Sequence, residues 1–307
     1  MADQETDHDA NIRSTENQYG RSSKDGDRAG LDSGNSDKVA LDERTLPFRE
    51  ENIEKGSTIL PIHGAFSNRD EWNLVTPHLE TYHLLIPDMP SHGEVSSIRP
   101  FSKQLAARLT ANTIRKYAKG GRAYIIGLSL GAHIAIELAV SYPDVVHDMF
   151  ISGFKILPVL RGPLVPYLMY LNCQVERAAL SVAPKFFTDS LLDGADVHTA
   201  PGTQMSVSLC REILYPITLA DTFHWPESFQ ARTLVVCAGK SGVLPTSDSE
   251  ADTIRMRDIA REGNQDSMAV VHPEMRHPWN RQRPELFARA AMAWFERRAL
   301  PDGFREL

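Results

Sequence analysis

One serine in this chain stands where a nucleophile would have to stand. Residues 122–142 read RAYIIGLSLGAHIAIELAVSY. The short apolar run from Ala123 to Ile126 leads into Gly127-Leu128-Ser129-Leu130-Gly131, and a helical pattern starts at once behind it. Strand, sharp turn and helix with serine at the apex force the Ser129 backbone into strain and push its Oγ outward. Glycines at 127 and 131 fit a turn too tight for side chains. The helix begins behind the serine, so its first N–H groups point at whatever reacts there.

A serine hydroxyl is a poor nucleophile near neutral pH. It needs a base in hydrogen-bond reach, a group to orient that base, and N–H donors for the oxyanion. Leu130, the residue after the serine, is placed to supply one donor. Ala65, after His63-Gly64 at the end of another apolar run, is placed to supply the second. Eleven histidines compete for the base. His8 lies in a polar tail, and His63, His78, His83 and His92 all precede the serine. His133 falls on the helix behind it, facing solvent or making a local bond, and His147 opens a strand at the wrong edge. His198 and His224 fall in a strand-free stretch. His272 and His277 remain, after the last strand of the alternating pattern. His272 sits at the strand end and reads as structural, whereas His277 sits in a loop, PEMRHPW, from which an imidazole can reach the serine.

The elements that must carry these residues alternate. Strands are expected at Ser57 to Ile62, Tyr82 to Ile86, Ala123 to Ile126, Val146 to Ile151, Thr233 to Ala238 and Met268 to Val271. Trp72, Val75 and Leu79 predict a first helix; Phe101, Leu105 and Leu109 predict another; Ile254 to Glu262 and Pro284 to Arg298 predict the last two. Alternation of this kind implies a mostly parallel sheet covered on both faces, with active groups at the carboxyl ends of the strands. The rhythm stops once, from 154 to 230, where apolar patches alternate with Pro, Asp and Gly.

With these motifs in order, the chain resembles the α/β-hydrolase superfamily, in its capped, serine-nucleophile branch, over about residues 55–300. The carriers are His63-Gly64-Ala65, the loop Asp88 to Gly93, the elbow Gly127 to Gly131, and the late His277 followed by Pro284-Glu285-Leu286-Phe287. The resemblance implies an α/β-hydrolase fold. Its core would comprise residues 46–153 and 231–307, with residues 154–230 as a helical cap. Some of the cap residues Leu160, Leu164, Tyr167, Leu168, Tyr170, Phe186, Phe187, Leu191, Leu192 and Trp225 would then line an apolar pocket over Ser129 and the rest would pack the cap. Serine at the elbow, where dehalogenase and epoxide-hydrolase relatives carry aspartate, favours acyl chemistry. The family's usual acid position, after the strand at 233–238, holds Gly242 here. Asp248 is the first choice for the acid, Glu250 and Asp252 are the alternatives, and a chain without a triad acid is the fourth possibility.

Composition bounds the rest. An apolar fraction of 42 % and a charged fraction of 24 % are ordinary for a globular protein. A net charge of −7 argues against a nucleic-acid or anionic-membrane binder. The first 50 residues hold 12 Asp/Glu against 7 Lys/Arg, and large apolar residues before Val39 are limited to Ile12, Tyr19 and Leu31 after Met1. Residues 1–45 are therefore expected to be a disordered acidic tail. No signal peptide or membrane span is apparent, three scattered cysteines make neither a disulfide framework nor a zinc motif, and Arg305-Glu306-Leu307 falls short of a peroxisomal signal. An intracellular, cytoplasmic setting is the expectation. The expected function is hydrolysis of an ester or thioester of a small apolar acyl or aromatic substrate, through an acyl-enzyme and without metal or cofactor. A carbon–carbon bond hydrolase or lactonase would use the same serine, and a ligand-binding protein with a degraded triad would use none of it.

Overall fold

The computed structural model describes residues 43–156, 163–182, 184, 192–196, 205–214, 224–241 and 247–307. The expected tail up to residue 42, together with Leu160, Phe186, Phe187, Leu191 and Gly242, lies outside the described residues.

Among the described residues eight strands form one sheet: β1 (Phe48–Glu51), β2 (Thr58–Ile62), β3 (His83–Pro87), β4 (Ala123–Leu128), β5 (Val146–Ser152), β6 (Arg232–Ala238), β7 (Met268–His272) and β8 (Arg305–Glu306). Their spatial order is β1-β3-β2-β4-β5-β6-β7-β8. The six inner strands are parallel, and β1 and β8 run antiparallel to their neighbours at the two edges. Both parallel-sheet faces must be covered, and the strand sequences show how. Side chains alternate between faces with period two. Leu60, Ile125, Met149, Ile151 and Val235 enter one core, and Ile59, Ile126, Phe150, Leu234 and Val236 enter the other.

The first core is closed by α1 (Lys103–Tyr117), α2 (Leu130–Ser141) and later α5 (Glu250–Gly263). The second is closed by the C-terminal helix α7 (Pro284–Phe295), through Phe287, Ala291, Trp294 and Phe295, after a single helical turn, α6 (Trp279–Gln282). Trp279 is fully buried there, its ring 4.5 Å from that of Phe287. Burying one such apolar side chain stabilises the fold by about 1.5–3 kcal/mol. Ser102 caps α1 by accepting a hydrogen bond from the Leu105 N–H, and Pro284 opens α7 where a missing N–H costs nothing. Between β5 and β6 the chain makes its insertion, whose described part holds two packed helices, α3 (Val165–Val182) and α4 (Val207–Leu214). No helix among the described residues is long and apolar enough to cross a membrane.

Three features depart from the sequence expectation. Trp72, Val75 and Leu79 are buried as their spacing predicts, but on two 3₁₀ turns, Arg69–Trp72 and Thr76–His78, rather than on an α-helix. Pro77 in the first turn of the second piece has no N–H with which to continue an α-helix from the first. Strand β1 has no alternating apolar signal, because three of its four residues (Phe-Arg-Glu-Glu) are charged. Strand β8 follows what the pattern gives as the last strand; it is two exposed charged residues against Val270 and Val271. Both are edge strands, where charge discourages pairing with another sheet.

Strand order creates the place for a site. From β2 the chain goes to β3 on one side and to β4 on the other, which is the topological switch at which a crevice opens beyond the strand ends. Gly131 sits in that crevice against β2: a methyl added to it would lie 2.1 Å from the Ile62 carbonyl oxygen and 2.8 Å from its carbon. Backbone cannot step aside cheaply. Gly131→Ala should therefore destabilise the protein by about 2–4 kcal/mol in urea unfolding, whereas Gly56→Ala, with nothing within 4 Å, should stay within about 0.5 kcal/mol of wild type.

Candidate active site

Ser129 is the hinge between β4 and α2, at φ 55° and ψ −116°. A non-glycine residue in that region is strained, and the surroundings must hold it there. Gly127 and Gly131 make this possible: a methyl on Gly127 would lie 2.7 Å from the Gly131 carbonyl oxygen. The Ser129 N–H donates to the Ser152 carbonyl at 2.8 Å, which ties the turn to the end of β5. Leu130 follows as the first residue of α2, ahead of the first bond of the helix, from the Ala132 N–H to the Ser129 carbonyl at 2.9 Å.

Across the crevice, Gly64 faces the serine: a methyl on it would come 3.6 Å from Ser129 Cβ. Ala65, the other expected oxyanion donor, is the next residue, half-buried in the loop after β2. Two buried imidazoles shape this loop. His63 donates from Nδ1 to the Gly64 carbonyl (2.8 Å) and accepts at Nε2 from the Met89 N–H (3.0 Å). His92 donates from Nδ1 to the Pro90 carbonyl (2.9 Å) and accepts at Nε2 from the Phe66 N–H (3.2 Å). Each has a carbonyl on one side and an N–H on the other, which fixes the neutral Nδ1–H tautomer. Phe66 itself is held at φ 59°. Burial pushes the His63 imidazole below its ordinary range and His92 down to about 3, with the neighbouring His63 adding to the effect on His92. Asp88 secures the other loop, accepting from the Arg69 N–H at 2.7 Å and the Glu94 N–H at 2.9 Å. In the sequence His63 and His92 count as losing candidates for the base and as parts of the two motif loops; their spacing does not show that each imidazole bridges two stretches of backbone.

His277 stands on the far side of Ser129, after β7. A methyl on Gly153, the residue after Ser152, would lie 2.6 Å from the His277 Cε1, so the imidazole rests on the end of β5 beside the serine turn. Gly153 has φ 70°, which a side chain would strain as well. The His277 Nδ1–H donates to Asp248 Oδ1 at 2.5 Å, because a carboxylate can only accept. That leaves Nε2 as the basic nitrogen. The other Asp248 oxygen accepts from the Ala238 N–H at 2.8 Å. Of the three candidate acids, the structure therefore brings only Asp248 to His277. Glu250 is exposed at the start of α5, and Asp252 is occupied elsewhere, accepting from the Ile156 N–H at 3.0 Å. The loop before α5 is clamped by Lys155, whose Nζ donates to the Ser247 carbonyl at 2.7 Å.

Other expectations are corrected or refined. His133 is buried, not solvent-facing; its Nε2 meets the Lys155 carbonyl at 3.1 Å, and burial pushes it down to about 3. His272 is packed edge-on against Phe304. Tyr170 and Trp225 pack against the core and Leu192 is buried, whereas Leu164, Tyr167 and Leu168 are each more than half exposed. The insertion is fastened beside His277 by Asp193, which pairs with Lys240 at 2.8 Å and with Arg276. Lys240 first, then Arg276, holds the Asp193 carboxyl below its usual range.

The fold, the strained serine turn and the late histidine–carboxylate pair define a hydrolase scaffold. The chain belongs to the alpha/beta hydrolase family, whose sequence model matches residues 62–290. It is 35 % identical over 268 residues to an AB hydrolase superfamily protein of Gibberella zeae, covering 86 % of this chain and 88 % of that one. It is 33 % identical over 197 residues to a pimeloyl-[acyl-carrier protein] methyl ester esterase of Neisseria meningitidis, covering 60 % of this chain and 75 % of that one. A lipase-esterase related protein from Clostridium acetobutylicum shares the fold at a TM-score of 0.58 and 16 % identity, covering 80 % of this chain and 97 % of that one.

The loop histidines generate a pH prediction. A neutral, buried His92 stabilises the fold fully above its unfolded value near 6.5, and that contribution is lost progressively as pH falls toward about 3. His92→Gln keeps an acceptor near Phe66 but cannot take a proton. Between about pH 6 and pH 4 it should flatten the dependence of unfolding free energy on pH by about 1.4 kcal/mol per unit. His92→Leu, which removes the acceptor, should cost about 1–3 kcal/mol at pH 7.

Proposed function

We propose that the protein is a serine hydrolase acting on an ester or thioester of a small apolar acyl or aromatic group. The observation that carries this reading is the Asp248–His277 pair resting against Gly153, next to the strained Ser129 turn. Ser129 Oγ attacks the carbonyl while His277 Nε2 takes its proton. The Leu130 and Ala65 N–H groups hold the oxyanion, and the alcohol or thiol leaves with the proton returned by His277. Water then attacks the acyl-enzyme, giving its proton to the same nitrogen, and the acid is released with the serine restored. Asp248 keeps the imidazole in the Nδ1–H tautomer and stabilises its cation.

The ester substrate named for the Neisseria relative favours ester chemistry over the carbon–carbon and lactone readings. A binding protein with a degraded triad is disfavoured by the hydrogen bond from His277 to Asp248, which gives the imidazole a carboxylate partner.

Turnover of p-nitrophenyl butyrate tests the proposal. Ser129→Ala should abolish it and also abolish labelling by a fluorophosphonate; turnover equal to wild type would refute the reading. Asp248→Asn should lower kcat by about 10⁴-fold, and a loss smaller than about tenfold would remove Asp248 from the triad. Gly153→Ala should lower kcat far more than it lowers the melting temperature, because its methyl displaces the His277 ring rather than a core side chain.

A further inference from the structure

Leu164, Tyr167, Leu168, Leu171 and Val175 project from one side of α3 and the turn before it, with 67, 53, 61, 57 and 60 % of their surface open. Among the described residues only three other large apolar side chains are exposed, Ile53, Tyr117 and Val140, and each stands alone. The opposite side of α3 is already used, since Met169 and Tyr170 pack against the core. The Leu168 N–H donates to the Leu164 carbonyl at 3.0 Å, so Leu164 already belongs to the helical spiral.

The order of the stripe says what kind of surface fits it. Leu164, Leu168, Leu171, Val175 and the exposed Ala178 recur at intervals of four, three, four and three, the spacing that keeps a seam facing a second helix. A flat lipid surface requires no such register. Interfacial helices also carry Lys and Arg on their polar face, whereas no Asp, Glu, Lys or Arg occurs from Gly162 to Val175, and the whole chain is at −7. A neutral seam has nothing to repel its own copy.

We propose that α3 pairs antiparallel with α3 of a second copy of this chain, across a two-fold axis at Leu171. Leu171 then meets its own counterpart, Leu168 faces Val175, and Leu164 faces the small Ala178, so large side chains oppose smaller ones towards the ends. Leu164, Leu168, Leu171 and Val175 of the seam, with Tyr167 flanking it, are each more than half open; at roughly 100 Å² apiece they present about 500 Å² per copy. Two such faces reach about 1,000 Å², the lower bound for a specific interface.

Sedimentation equilibrium on the full chain at micromolar concentration tests this. The wild type should sediment at twice the chain mass, and Leu168→Glu combined with Leu171→Glu, confirmed folded by circular dichroism, should sediment at the chain mass. Leu171→Cys in a Cys173→Ser background should cross-link on oxidation by copper–phenanthroline, because a residue on the axis brings its two Cβ atoms together. Ile53→Cys in the same background should not. The cross-link decides the matter if the double glutamate variant fails to fold. A monomeric wild type overturns the proposal, as does a dimer indifferent to the glutamates and without the Leu171 cross-link. A monomer that floats with phosphatidylcholine vesicles overturns it in favour of a lipid surface.

Discussion

The approach of Gly131 to the carbonyl of Ile62 is the constraint on which the site rests. It leaves no room for a side chain, so the first turn of α2 and the end of β2 behave as one piece. The strained turn at Ser129 is thereby held against the loop that begins at His63, and the spacing of the serine from the proposed donor at Ala65 is set by backbone rather than by mobile side chains. Register carries the constraint outward. Ile62 pairs with Gly127, Leu128 with Ser152, Ser152 with Val236, and Ala238 with His272. Each loop that matters therefore leaves the sheet at nearly the same level.

Burial then divides the histidines by task. His63, His92 and His133 are enclosed, and their surroundings disfavour the charged form. They serve as fixed donors and acceptors for backbone. His277 is partly open and has a carboxylate at Nδ1, the surroundings a reversible proton carrier requires. The same side chain thus serves as scaffold at His63, His92 and His133 and as the proposed base at His277, where solvent access meets a charge partner.

Much of this is legible in the sequence, for identifiable reasons. The elbow is a local pattern, and Gly127, Ser129 and Gly131 carry its geometry in themselves. The inner strands are apolar enough to read as a covered parallel sheet. The edges are not: β1 and β8 are short and charged and gain their conformation only from the neighbour they pair with. Nor can sequence separate Asp248 from Glu250 and Asp252. Three carboxylates fall within five positions, and only the path of the loop into α5 decides which one turns toward the imidazole. Composition marks 154–230 as rich in large apolar residues without saying which of them face inward. Leu164, Tyr167 and Leu168 read as lining or packing residues because an apolar stripe looks the same from either side. The seat that Gly153 gives to His277 has no signature beyond a glycine after a strand.

The ion pairs of Asp193 have a consequence for how this protein could diversify. In many folds an insertion is a detachable cassette that can be exchanged while the chemistry below stays intact. Here the insertion supplies the carboxylate that neutralises Lys240 and Arg276, and Arg276 is the residue next to His277. A foreign insertion without that carboxylate would remove the ion-pair partner of both cations, one of them adjacent to His277, and so disfavour the imidazolium that the proposed mechanism requires. In the proposed mechanism the insertion and the base are therefore linked through one acidic position at 193, and an exchanged insertion would have to carry it.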